Sequence, residues 1–484
     1  MRTVAVGFVC FMAWALAATV ADCAVRDLRL IQAAQKDDIQ AAKALAGVDV
    51  NARAPDGATA LHWAAHNDDL DLAELLIRRG AKVDAVNDLG VTPLWVAASN
   101  SSAAMVQRLL DARADPNIAP PTNGSPLMVA ARIGNADAVK ALLAHGADPN
   151  AREDAHGQTA LMWAVVARHP DVVRLLLQAH ADLHIRTKSS PQRVLLCCQY
   201  YESQADGDAV VQKGGYTAML FAAQDGDVET AKLLIAAGAD VKDAAADNAC
   251  ALILAAHLKQ NDVASVLLDA GADPNDARAG YTALQIAATT GNLPLAKALL
   301  DHGADPNARQ QSGTPSKRTV NGHALDHAMI GATAYFTAMR SGQLEMMKLL
   351  ADRGADVTIP LKDGRTAFMI LAGESTLEGP DVPEAKAAEV VKLAVKLGTP
   401  VNQADANGNT AMHIAAARRR DRLLQALVDS GAALEARNRD GDTPLAIALK
   451  PPPPLEGSGF TEEYAEMISH KGTPELLRKL GAKS

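Results

Sequence analysis

Thr59-Ala-Leu-His-Trp-Ala-Ala is followed 33 residues later by Thr92-Pro-Leu-Trp-Val-Ala-Ala, and after another 33 by Ser125-Pro-Leu-Met-Val-Ala-Ala. The pattern returns at Thr159, Thr217, Cys250, Thr282, Thr333, Thr366, Thr410 and Thr443. A shortened copy ending in Ala33-Ala34 precedes them all, giving eleven marked repeats and one degenerate repeat. Self-similarity at a fixed period overrides any domain count based on length, because each unit buries its apolar face only against its neighbours. The 484 residues therefore read as one array, with no interruption long enough for an appended enzyme domain.

Each part of the unit has a physical task. Thr or Ser caps a first helix, and Pro93, Pro126 and Pro444 are pre-set for its first turn. The Ala-Ala pair lets neighbouring helices approach closely. A second helix follows, as in Leu72-Ala-Glu-Leu-Leu-Ile, with apolar residues at helical spacing. Gly80, Gly146, Gly238, Gly271, Gly303, Gly354 and Gly431 end it in the left-handed conformation. Asp-Pro-Asn at 115–117, 148–150, 273–275 and 305–307 opens the turn to the next unit. Aromatics are only 3% of the chain against 49% hydrophobic residues, so the core is built from Ala, Leu, Val and Ile, which suits short, close-packed helices.

This unit resembles the ankyrin family, with its 33-residue repeat and Thr-Pro-Leu-His-x-Ala motif. The resemblance covers nearly all of the chain beyond the N-terminus. It implies an all-α ankyrin-repeat α-solenoid of about twelve repeats over 24–484, with short β-hairpin fingers. The motif His is kept only at His62 and His413, and Trp95, Met128, Met162 and Leu220 replace it elsewhere. Arg113 and His180 stand where the closing glycine belongs, and Arg113 is expected to be the more strained, since His visits positive φ more readily. Cys250 stands where a capping Thr belongs.

The distance from cap to closing residue locates four insertions. Thr159 to Thr217 spans 58 residues while Thr159 to His180 keeps the usual 21, so the extra segment falls after the second helix, near 188–214. The same reasoning places a second finger insertion near 308–330. Two more, near 373–383 and 451–471, separate the two helices of one repeat and extend the opposite edge. Loops of this length are either functional or disordered.

The N-terminus has its own composition. Arg2 precedes an uninterrupted apolar run from Val4 to Val20, with small residues at Thr19 and Ala21. Residues 1–23 read as a secretory signal peptide cleaved after Ala21 or Cys23, or as an uncleaved membrane anchor. Either reading exports the array to the periplasm or beyond the cell, with membrane attachment only through this segment. Cys10 lies within it, and the pairing of Cys197, Cys198 and Cys250 cannot be read from spacing.

The search for chemistry returns little. His323 and His327 flank Asp326 four residues apart, but no third metal ligand is specified. His180 and His184 straddle a turn, and His62 and His66 share a helix in which His62 holds the structural position. Arg418 to Arg422 form a basic run at a helix–helix turn and read as a solvated edge. Trp63 and Trp163 read as core, and Trp95 as partly exposed. No phosphate loop, nucleophile elbow or metalloprotease helix occurs, so no catalytic residue, cofactor or metal site is assigned. The net charge of −9 argues against a nucleic-acid partner.

What remains is surface. Twelve repeats at ~10 Å each give an array on the order of 100 Å long, with a concave face of first helices and fingers. The resemblance implies that a partner protein binds at finger tips and just after the Ala-Ala pair. Those latter positions hold His66, Asn67, Ser99, Asn100, Arg132 and Gln224. Asp225, Thr289, Thr290 and Arg340 continue the series, and Tyr216 and Tyr281 stand just before a cap. The expected function is a non-enzymatic scaffold or regulator outside the cytoplasm. The alternatives are a chaperone-like protector of an envelope enzyme and a metal-dependent enzyme completed by the 308–330 segment.

Overall fold

The computed structural model describes residues 27–195, 208–312, 329–373, 382, 384–450 and 472–483. The signal-like segment 1–23, Cys197, Cys198, His323, Asp326, His327, the 451–471 insertion and most of 308–330 and 373–383 lie outside them.

The described helices follow one another in pairs. They begin with α1 (Arg29–Gln35) and α2 (Ile39–Ala44), α3 (Ala60–Asn67) and α4 (Leu70–Arg78), and α5 (Pro93–Ser99) and α6 (Ala103–Asp111). Next come α7 (Pro126–Ile133) and α8 (Ala136–Ala144), α9 (Ala160–Val166) and α10 (Pro170–Gln178), and α11 (Ala218–Asp225) and α12 (Val228–Ala236). After α13 (Ala251–His257) and α14 (Asn261–Asp269) stand α15 (Ala283–Thr290) and α16 (Leu293–Asp301), then α17 (Ala334–Arg340) and α18 (Leu344–Asp352). The last pairs are α19 (Ala367–Gly373) and α20 (Glu384–Lys396), α21 (Ala411–Ala417) and α22 (Asp421–Asp429), and α23 (Pro444–Leu449) and α24 (Thr473–Lys479). The fold is thus an all-α repeat solenoid, with twelve helix pairs and one small two-stranded sheet among the described residues.

The described residues separate into two compact units, one within 1–130 and 140–147 and the other within 131–139 and 148–484. In the first, α3 packs on α1 and α5 while α4 packs on α2 and α6. In the second, the first helices α9, α11, α13, α15, α17, α19, α21 and α23 pack each on the next. The alanine pairs make this approach close: Ala64, Ala65, Ala97, Ala98, Ala222, Ala223, Ala287 and Ala288 are all fully buried.

Several first helices are capped by the threonine hydroxyl. The Thr92 hydroxyl accepts from the Trp95 N–H at 3.1 Å, and Thr333 and Thr443 do the same for Phe336 and Ala446 at 3.2 Å. The motif position completes the cap and ties it to the next repeat. His62 Nδ1 accepts from the Thr59 N–H at 3.1 Å, which leaves its Nε2–H to donate to the Val91 carbonyl at 3.0 Å. His413 repeats this pattern with Thr410 and Asp442. Gln285 does the same work with an amide, accepting from Thr282 N–H at 2.9 Å and donating to Ala332 O at 3.0 Å. Trp95 keeps only the outer bond, Nε1–H to Gly124 O at 3.0 Å, and Met128 keeps only the inner one through its sulfur.

Turns to the next repeat are cross-linked by asparagine. Asn275 Nδ2 donates to Gly303 O at 3.0 Å while its Oδ1 accepts from Asp305 N–H at 2.6 Å. Asn51, Asn307 and Asn402 make the same double contact. Each one gives the chain leaving a second helix the partners that helix ends otherwise lack.

Between α10 and α11 the finger grows into β1 (Ser189–Leu195) and β2 (Asp208–Gly214), antiparallel, with Ser189 opposite Gly214 and Leu195 opposite Asp208. Its root is one rung of a finger ladder. Lys188 N–H donates to His156 O at 2.7 Å, Ala246 N–H to Gly214 O at 3.0 Å, and Gln311 N–H to Gly280 O at 2.7 Å. The preceding finger carries one residue more between turn and cap than the two fingers before it, 13 from Gly146 to Thr159 against 12 from Gly80 to Thr92 and from Arg113 to Ser125. Glu153 spans the excess where Asn87 suffices elsewhere: its buried carboxylate accepts from Ala155, His156 and Gln158 N–H groups. Burial opposes its ionisation, but the N–H groups of Gln158, His156 and Ala155 outweigh burial and hold the carboxyl below its usual range.

Arg113 and His180 adopt φ of +68° and +58°. A second left-handed position, after each first helix, carried no sequence signal: Gly134, Gly226, Gly291 and Gly342 hold it in four repeats, Asp68, Ser101, Arg168, Lys259 and Arg419 in others.

Candidate protein-interaction surface

In the first unit, Asn67 and Asn100 hold repeats together, while Ser99 and His66 contact their own helices. Asn67 Nδ2 donates to Ala34 O at 2.8 Å, Asn100 Nδ2 to His66 O at 2.7 Å, and Ser99 Oγ to Val96 O at 2.7 Å. His66 is exposed and meets half-buried Trp63 edge-on, with ring centroids 5.6 Å apart.

The second unit offers more. Arg132, at the end of α7, is exposed and lays its guanidinium over the Trp163 ring of α9, 4.8 Å from the centroid. Trp163, read as core, is half-buried instead, because its Nε1–H is turned to Gln158 Oε1 at 2.9 Å and one edge stays open. Trp63 departs from the core reading in the same way. Beside them stand two apolar residues that the sequence reading missed, Ile133 at 36% exposed and Val166 at 48%. The missing signal was available: Val166 occupies the position that Arg132 holds one repeat earlier. Tyr216 is half-buried and tilts onto Phe221 of α11, with centroids 5.2 Å apart. Gln224 and Asp225 close α11. The Arg168 guanidinium donates to the Asp225 carbonyl, and burial raises the Asp225 carboxyl above its usual value.

Other members of the series are placed differently. Tyr281 is fully buried, with its hydroxyl 3.3 Å from His257 Nε2, so it is not a finger-tip residue. The physical reason is that the residue before a cap packs against the first helix of the preceding repeat, as Tyr281 does on His257; Val91, Ala249 and Ala332 at that position are buried too. Thr289 and Thr290 spend their hydroxyls on their own helix, at the Gln285 and Ile286 carbonyls, both 2.9 Å away. Arg340 is half-buried at the end of α17. The basic run is less free than a solvated edge: Arg420 donates to Leu371 O at 3.3 Å and Val382 O at 3.2 Å.

Titratable groups show structural burial. Burial lowers the pKa of His62 and His413, and pushes the Cys250 thiol, which is free and buried, up to about 12. Among the described residues no group of three or more His, Cys, Asp or Glu is placed to hold a metal ion, and no helix is long and apolar enough to cross a membrane.

These features define an ankyrin-type array with an open guanidinium–indole pair and two exposed aliphatic side chains on α7 and α9, while Val86, Leu89 and Leu449 are exposed elsewhere. The chain belongs to the ankyrin-repeat family: the family described as "Ankyrin repeats (3 copies)" matches residues 30–120, 115–187, 193–278, 219–310 and 384–451. It is similar to the B-cell lymphoma 3 protein homolog of Mus musculus, 32% identical over 119 residues, 24% of each chain. It is also similar to the transient receptor potential cation channel subfamily A member 1 homolog of Caenorhabditis elegans, 33% identical over 110 residues, 22% of this chain and 8% of that one. The chain thus spans a quarter or less of the length of these relatives. Ankyrin repeats are protein–protein interaction modules.

Proposed function

We propose that the chain is a non-enzymatic scaffold or regulator that acts outside the cytoplasm and grips a partner protein through Arg132, Ile133, Trp163 and Val166. The observation that carries this reading is an arginine stacked on an aromatic ring, flanked by exposed aliphatic side chains. Arg and Trp are the residue types that dominate interface energetics, and a ring already held beneath a guanidinium loses little freedom on binding. Tyr216, Gln224 and Asp225 extend the surface along α11. The apolar run from Val4 to Val20 supports the location.

The test is a photo-crosslinking residue placed at Val166 in the native host, with a second at exposed Lys297 as control. A partner from the envelope or the medium captured at Val166, absent at Lys297 and lost with Trp163→Ala, supports the proposal. Capture of cytoplasmic proteins only, or equal capture at both positions, overturns it.

A further inference from the structure

Beside the root of the β1–β2 hairpin lies an open groove of about 550 Å³, within the range of ligand sites (roughly 300–1,000 Å³). Its charged lining is cationic throughout: Arg152, Arg186 and Lys188, with His184 beside them and no carboxylate among the lining residues. All four side chains are exposed. In a chain of net charge −9 such a lining stands apart from its surroundings.

The nearby acids are committed or lie outside the groove. Asp243 pairs with Arg186, and the Glu153 carboxylate is taken up by its own backbone N–H groups. Asp182 accepts from the His184 N–H at 2.8 Å, and Asp154 turns its backbone carbonyl to Lys188 Nζ. Arg152 donates to Gly157 O at 3.2 Å and Arg186 O at 2.6 Å, so both Arg152 and Lys188 contact carbonyl oxygens and no carboxylate. In the first finger the equivalent Arg53 lies 3.7 Å from Asp88, whose N–H bonds the preceding finger as that of Lys188 does here, while Arg309 donates to the Gly331 and Pro360 carbonyls as Arg152 does to its own pair.

We propose that this groove receives the carboxylates of a short, extended, acidic segment of a partner protein, with Arg152 and Lys188 as the principal contacts. The carbonyl contacts hold both cations in place before binding, which lowers the ordering entropy that flexible surface charges would lose. A guanidinium fixed on one edge keeps its other donors for carboxylate oxygens. Small residues (Ser189, Gly215, Ala244 and Ala246) line the rest, leaving room for a peptide backbone. A nucleic acid is the poorer occupant, because the lining offers no aromatic platform beyond His184 and the chain's net charge repels a long polyanion. The site stands independently of the Trp163 surface.

The experiment uses the full chain and a fluorescent octapeptide of alternating Asp and Glu, with its Asn/Gln counterpart, read by anisotropy at low ionic strength. The acidic peptide is expected to bind and the neutral one not. Lys188→Gln and Arg152→Gln should each weaken binding about tenfold, in line with loss of a charge-assisted hydrogen bond. Arg152→Lys, which keeps the charge, should retain most of it and guards against a folding effect. Lys297→Gln should leave it unchanged. Equal binding of the neutral peptide, undiminished binding by Lys188→Gln, or tighter binding of a single-stranded oligonucleotide of equal charge overturns the proposal.

Discussion

At the scale of single residues, the motif position sets how the fold responds to acid. His62 and His413 must stay neutral, since Nδ1 accepts the cap N–H and a proton there would oppose it. Burial lowers both pKa values from the ordinary 6.5. The unfolded chain therefore takes up these protons first. Their contribution is complete above pH 6.5 and declines as pH falls through that value toward the folded pKa. Gln285 makes the same two bonds without titrating. The double variant His62→Gln/His413→Gln should match the wild type near pH 8 and lose less stability on going to about pH 5, measured by urea denaturation. An identical pH slope would show that the imidazoles ionise freely in the fold.

Arg113 gives a second prediction at this scale. Its φ of +68° is one that a glycine adopts without strain, and a Cβ at the equivalent Gly80 and Gly146 meets nothing within 4 Å. The strain is the backbone's alone. Arg113→Gly should add roughly 0.5–1 kcal/mol after the glycine's greater unfolded-state entropy is subtracted. A rise in the urea midpoint checks it, and a fall would mean the arginine makes a contact worth more than the strain.

At the scale of elements, the turn inside each repeat is matched to the helix cap of the next. A Cβ on Gly134 would come within 2.5 Å of the His169 ring, and one on Gly226 within 2.1 Å of the Gln260 side chain. Where the following cap is small, a side chain fits: the Ser102 hydroxyl donates to Asp68. Gly134→Asp should cost about 1–3 kcal/mol, from left-handed strain and a displaced His169. Combining it with His169→Ser copies the Asp68–Ser102 pair and should recover about 1 kcal/mol of that loss, measured as a double-mutant cycle. Additive losses would rule out the matching. The pairing was invisible in the sequence because the two residues lie 35 apart and belong to different repeats. The closing glycines were legible because they recur at one register. The hairpin between α10 and α11 was legible only as excess length, since a ribbon leaves no helical period to read.

At the scale of the whole molecule, the period alone specified the repeat class, because a unit of two short helices has no core without its neighbours. The interaction surface was less legible. The residue directly after the Ala-Ala pair is equivalent in sequence, yet His66 meets Trp63 of its own helix while Arg132 lies open over Trp163 of the next repeat. What separates them is the side chain supplied by the adjacent repeat, which a single repeat does not reveal. The same nearest-neighbour logic governs stability. Leu267 of α14 is fully buried, and Leu267→Ala should cost about 2–5 kcal/mol. Stability in a linear array is a sum of repeat and interface contributions, so the loss should spread through helices α12 to α16 and fade with distance. Hydrogen exchange reads this directly: amides of α12 to α16 should lose protection, while those of α21 and α22 keep it. Equal loss in α21 and α22 would make the second unit one cooperative block, and an interruption such as the 308–330 segment would then not divide it.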